Sequence, residues 1–272
     1  MLQKLRHARD VISLEAVSGG AATDKAAERL PTFLSKASEF LRSNIAGSIG
    51  NLFTTKDLGW LSIQMTRKNY SDMRGLKVRA PQGFKGSLAE YGKFLEKAAD
   101  ALDDIEKDVL QPFGAWISQR ISDPDSLKAL TNTLRIPGLH APKLTDLSKA
   151  LERFYPEKTD NHDPIYGDVF RRQGDWGDIN NSVKNLQTVY QNGKYEKVQR
   201  KVQDLSDLMD VLSKRLAEEK DDYVASSVTS EQLAKVTLEV AELIEYYGVV
   251  RHRTEEFIRI SHENVELLKP HV

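Results

Sequence analysis

Apolar residues recur at intervals of three and four along most of the chain, which predicts a mainly α protein. In Leu2-Gln-Lys-Leu-Arg-His-Ala-Arg-Asp-Val-Ile-Ser-Leu-Glu15, the side chains of Leu5, Ala8, Val11 and Ile12 share one face, so a short amphipathic helix is expected. It should end at Ser18-Gly19-Gly20, a break that sets it apart from the downstream chain. From Thr23, an expected N-cap, the pattern resumes through Phe33, Leu34, Ala37, Phe40, Leu41 and Ile45, with Pro31 expected to open a new first turn. Between Gly47 and Gly86 no long period survives. Leu61-Ser-Ile-Gln-Met65 alternates as a strand would, and Leu76-Lys-Val-Arg-Ala-Pro81 reads as extended into its proline. A small irregular or two-stranded β patch is therefore expected near residues 58–81.

Ser87 caps the first long predicted helix, in which Tyr91, Leu95, Ala98, Leu102, Ile105 and Val109 form a heptad-like seam. Pro112 should kink or break it before Phe113, Trp116 and Ile117. Pro124, Pro137, Pro142, Pro156 and Pro164 then divide the chain into short pieces. The last third carries two long seams: Tyr195, Val198, Val202, Leu205, Met209, Leu212 and Leu216, then Leu233, Val236, Val240, Leu243, Tyr247 and Val250. Joined by a short connection, they predict an antiparallel hairpin of Asn180–Asp221 against Ser230–Leu268, with the helix after Ser87 completing a three-helix core. The expected architecture is a long-helix bundle in three parts. Residues 1–15 form a leader, residues 16–86 a helical and irregular region, and residues 87–272 the bundle, with a proline-rich insertion at about 122–177.

Composition narrows the function classes. The chain has 272 residues, enough for a substantial core, and 39 Lys and Arg balance 40 Asp and Glu. That balance argues against general nucleic-acid binding, which usually shows a basic excess. With no Cys there are no disulfides, thiolate metal sites or thiol nucleophiles. No apolar run approaches the roughly 20 residues needed to cross a bilayer, and the first residues lack the apolar core of a secretory signal. No membrane association is expected, and synthesis in the cytoplasm is.

Candidate chemistry is sparse. Thr159-Asp-Asn-His-Asp-Pro164 gathers oxygens around His162, but the offsets do not match a calcium loop and the residues are ordinary turn formers. His252 and Glu256 lie four apart, yet His-Glu-x-x-His is missing. There is no phosphate-binding glycine loop and no Gly-x-Ser-x-Gly elbow. Arg171-Arg172 beside Trp176 reads as a helix end with a packed indole. The acidic run Asp103, Asp104, Glu106 and Asp108 reads as a solvated helix face. No catalytic residue, metal ligand or cofactor site is expected. An α-helical enzyme would have to use the proline-rich middle, near His140, His162 or Trp176.

Two motifs carry a resemblance. Ser13-Leu14-Glu15, followed by Ala16 and then Ser18-Gly19-Gly20, resembles the recognition sequence of the prohead proteases of large tailed bacteriophages, which cut after the Glu of a small-residue-x-Glu triplet. A protease needs an extended, unpacked substrate, and the Gly pair loosens this stretch. Leu76-Lys-Val-Arg-Ala-Pro-Gln-Gly-Phe84, then Lys-Gly-Ser-Leu-Ala-Glu-Tyr91, resembles a turn leading into a long helix in internal virion proteins of giant myophages. The resemblance implies a non-enzymatic structural protein of the phage head, with other virion or scaffold proteins as partners. It also implies cleavage after Glu15 by a prohead protease, with Ser13, Leu14, Glu15 and Ala16 as the recognised residues. Residues 1–15 would then be an addressing helix with few contacts to the body. The competing expectation is a cellular helical adaptor or regulatory module that binds a partner protein through its hairpin.

Overall fold

The computed structural model describes residues 1–17, 21–45, 56–65, 67–128, 151, 153–155, 164–219 and 222–272. Their regular structure is helical: α1 (Leu2–Val17), α2 (Ala21–Ile45), α3 (Lys56–Gln64), α4 (Arg67–Met73), α5 (Leu88–Asp104), a π-helical turn (Ile105–Leu110), α6 (Gln111–Ser122), α7 (Asp125–Lys128), α8 (Tyr166–Val169), α9 (Asp175–Gln191), α10 (Lys194–Glu218), α11 (Ser227–Leu268) and a final 3-10 turn (Lys269–His271). The protein is mainly α. The chain forms two compact units, each stitched from three stretches: Met1–Gly47, Asp103–Ala141 and Glu196–Gly248 in the first, Ser48–Leu102, Pro142–Tyr195 and Val249–Val272 in the second.

The first unit is built on α2. Its stripe Ala26, Leu30, Phe33, Leu34, Ala37, Phe40, Leu41 and Ile45 is buried throughout. Pro31 sits inside this helix and does not open a new one. It forfeits one backbone hydrogen bond, which the burial of Leu30, Phe33 and Leu34 around it outweighs. Ser38 Oγ donates to the Ser206 carbonyl at 3.0 Å and Ser213 Oγ to the Pro31 carbonyl at 2.8 Å, so α10 runs antiparallel to α2. Arg42 adds ion pairs to Asp207 at 2.7 Å and Asp210 at 2.6 Å. The α11 backbone returns to α2 at Gly248, where a Cβ would lie 3.4 Å from the Asn44 carbonyl oxygen. That end of α2 is level with the start of α10, so α10 and the first half of α11 run antiparallel. All of Val202, Leu205, Met209, Leu212, Val236, Val240, Leu243 and Tyr247 are buried. The first arm of the hairpin does not extend back to Asn180, because Gly193, at φ 67°, separates α9 from α10. At Pro112 the predicted disruption takes the form of the π-helical turn just before it. The Gln111 amide donates to the Glu106 carbonyl, five residues back, and Pro112 falls in the first turn of α6.

In the second unit α5, α9 and the C-terminal half of α11 meet at Gly92, whose absent Cβ would come within 2.7 Å of Phe257 and 2.8 Å of Ser182. Here α5 packs on α9 and on the C-terminal half of α11, and Lys194 at the start of α10 lies 4.0 Å from Asp100 of α5. The expected β patch is not present among the described residues. Leu61 to Gln64 are helical in α3, where Leu61 is buried, Met65 just beyond the helix is also buried, and Ile63 is 80% exposed. The spacing that mattered was four, not two. The segment around Val78 is extended but forms only an isolated antiparallel bridge, Lys77 with Ile165. Its other edge is held by a side chain. Buried Asn264 accepts from the Arg79 amide at 2.7 Å and donates to the Arg79 carbonyl at 2.8 Å.

Candidate functional site

The α1–α2 hairpin carries the first candidate surface. Leu2, Leu5 and Ile12 of α1 are buried, with Leu5 at 1% and Ile12 at 0% exposure, so α1 packs on α2 and is not the loosely attached helix expected. The reason lies in its own stripe: large aliphatic side chains of this kind are worth several kcal/mol together when covered, at roughly 1.5–3 kcal/mol each. Arg6 adds an ion pair to Glu242 of α11 at 2.9 Å, and Arg29 of α2 one to Glu15 at 2.9 Å. The residues expected to be read by a protease, Ser13, Leu14, Glu15 and Ala16, lie in the last turns of α1. Leu14 is 69% exposed, while Glu15 is held by Arg29, so the triplet is helical and not extended. Ser18-Gly19-Gly20 lies outside the described residues.

Along the outer side of this hairpin runs a groove of about 620 Å³. Half-buried Ala8 and Val11 supply its apolar floor over buried Ile12 and Phe33, and Lys4, His7 and Lys36 are exposed on its rim. The side chains of those three make no hydrogen bond or ion pair among the described residues. Glu28 and Arg29 line it farther along α2. The Arg29–Glu15 pair sets the register of the antiparallel hairpin. It brings Ala8 level with Lys36, so the unpaired cations gather at one end of the groove.

A second groove of about 810 Å³ lies beside the Pro-Gly-Phe turn, between Arg79–Gln82 and the last turns of α11. The turn itself is closed by the Phe84 amide on the Pro81 carbonyl at 3.0 Å, with Gly83 at φ 74°. Ser87 then caps α5, accepting from the Glu90 amide at 3.4 Å. Phe84 anchors a ring cluster, 5.2 Å from Tyr91 and 5.9 Å from Phe154, with Tyr91 also edge-on to Phe257 at 6.1 Å. Tyr155 donates to the Tyr91 hydroxyl at 2.9 Å, and the Arg253 guanidinium lies 4.1 Å over the Tyr155 ring. Burial raises both phenols above their usual range, so they stay protonated and make poor general bases. The acids lining this groove are matched: Glu256 to Arg253 at 2.8 Å, Glu263 to Arg259, and Glu266 to Lys269 at 2.7 Å. His252 is exposed and Glu256 is committed to Arg253.

Trp176 is fully buried, stacked on Phe170 at 4.6 Å, and donates to the Tyr166 hydroxyl at 3.0 Å. The amides of Arg171 and Arg172 both donate to buried Asp175, at 2.7 and 3.1 Å, which makes this basic pair a helix entry. Among the described residues no three His, Asp or Glu side chains gather as a metal site, and no helix is long and apolar enough to cross a membrane. His140 and His162 lie outside the described residues. Comparison with protein-family models, curated proteins and solved structures finds no match to the chain.

The basic rim was not anticipated from the sequence. Lys4, His7 and Val11 follow helical spacing beside the α1 stripe, but Lys36 joins them only once α2 folds back.

Proposed function

We propose that this is a non-enzymatic structural protein that works through helix-face contacts, as a component of a phage head. The observation that supports contact with a partner is the α1–α2 groove, an apolar floor whose rim bears three cationic or imidazole side chains without partners among the described residues. Membership of the head rests on the Ser13-Leu14-Glu15 triplet and on the Val78 to Phe84 turn into α5. Partners would be other virion or scaffold proteins. The proposal includes cleavage after Glu15 by a prohead protease. That cleavage would need the last turns of α1 to unwind, and it would uncover α2 where Leu2, Leu5 and Ile12 now pack. Intact mass spectrometry of purified particles tests the reading. The chain should be present, either at its full 30.7 kDa or beginning at Ala16. Particles that lack it would refute the head assignment.

The packing of α1 favours a second reading, a cellular helical adaptor or regulatory module that keeps α1 in place and binds a partner protein through its α10–α11 hairpin. It predicts a full-length chain in cells and none in particles.

A further inference from the structure

We propose that the α1–α2 groove binds an acidic amphipathic helix presented by a partner protein. This rests on the contact reading above and names the partner's chemistry. The lined stretch of α1, Gln3 to Ile12, is about 15 Å long, which matches roughly three turns of a docked helix. Apolar side chains at i, i+3 or i+4, and i+7 of that helix would reach Ala8 and Val11 on the floor. Carboxylates flanking them would meet Lys4, His7 and Lys36, which have no acid of their own among the described residues. The second groove offers no such bias, because Glu256, Glu263 and Glu266 line it together with Arg79 and Arg259, so both signs of charge face it. A nucleic acid fits less well. The unpaired cations occupy one end only, Glu28 and the Glu15-paired Arg29 lie farther along, and the apolar floor interrupts any track of charge that a phosphate backbone would follow.

The test uses the full chain and a fluorescein-labelled Leu/Glu amphipathic peptide of about 18 residues, its Leu/Lys counterpart, and a single-stranded oligonucleotide of similar length. Fluorescence anisotropy should show saturable binding of the Leu/Glu peptide, with the Leu/Lys peptide at least about tenfold weaker. The double variant Lys4→Glu/Lys36→Glu should weaken binding about tenfold, and Lys4→Arg/Lys36→Arg should keep it. Both positions are exposed, so circular dichroism should show every variant folded. No binding of the Leu/Glu peptide, equal binding of both peptides, or indifference to the charge reversal would overturn the proposal. So would an oligonucleotide that binds more tightly than the peptide and loses affinity in the same double variant. If these assays fail while the chain is found in particles, the groove assignment alone falls. If they succeed while particles lack the chain, only the head assignment falls.

Discussion

Ile12→Ala decides whether α1 belongs to the fold or only hangs from it. Ile12 has no exposed surface and lies on the α1 face that packs against α2. Truncating a buried Ile to Ala costs about 2–5 kcal/mol, the spread depending on how far the surroundings collapse. Ile12 borders the α1–α2 groove, so the space left behind opens to solvent on one side and can relax. The lower half of the range, about 2–3 kcal/mol, is therefore expected. With a urea slope of about 2 kcal/mol/M, the unfolding midpoint should fall by about 1–1.5 M. Leu14→Ala, two positions on but largely exposed, is the internal control and should stay within about 0.5 kcal/mol of the parent. Equilibrium urea unfolding followed by circular dichroism measures both. If Ile12→Ala matched Leu14→Ala, α1 would be a loosely held leader after all. The groove built on it would lose its floor, and the cleavage proposal would regain its simplest form.

Gly92→Ala should lower the thermal midpoint. Crowding against Phe257 and Ser182 costs about 1–3 kcal/mol, more than the roughly 1 kcal/mol gained in helix propensity, and a higher midpoint would contradict the close approach. Leu205→Asp places a carboxylate at a fully covered position of α10 and should cost about 4 kcal/mol or more in a urea melt; a wild-type melt would refute burial of that seam. Tyr91 and Tyr155 are held protonated by burial, so their contribution is complete below about pH 10 and is lost as pH rises beyond it, where the unfolded chain ionises first. Urea midpoints should therefore fall more steeply above pH 10 in the parent than in Tyr91→Phe/Tyr155→Phe, and parallel curves would refute the assignment.

The features legible in the sequence were periodic and long. The seams of α10 and α11 span several turns each, so their burial could be read from spacing alone. Shorter windows misled. Leu61, Ile63 and Met65 satisfy alternation, but positions i and i+4 belong to both periods, and only the exposed Ile63 distinguishes them. Pro31 looked like a helix start because its local cost is easy to see, whereas the burial that outweighs it depends on what packs around α2. Gly92 gave no signal, since its role is fixed by Phe257 and Ser182, both remote in sequence. The rim of the groove escaped for the same reason: Lys4 and Lys36 become neighbours only through the hairpin.

Because the last stretch of each unit includes part of α11, neither can be completed early in synthesis. At about 5–20 residues per second, the α2 stripe waits on the order of ten seconds or more for the first half of α11. During the early part of that interval α1 is the cover for α2 that is already made. A helix that tops a finished unit is thus also the first shield of an unfinished one. A chain born without it should accumulate in aggregates, even under conditions where the completed fold would tolerate its loss.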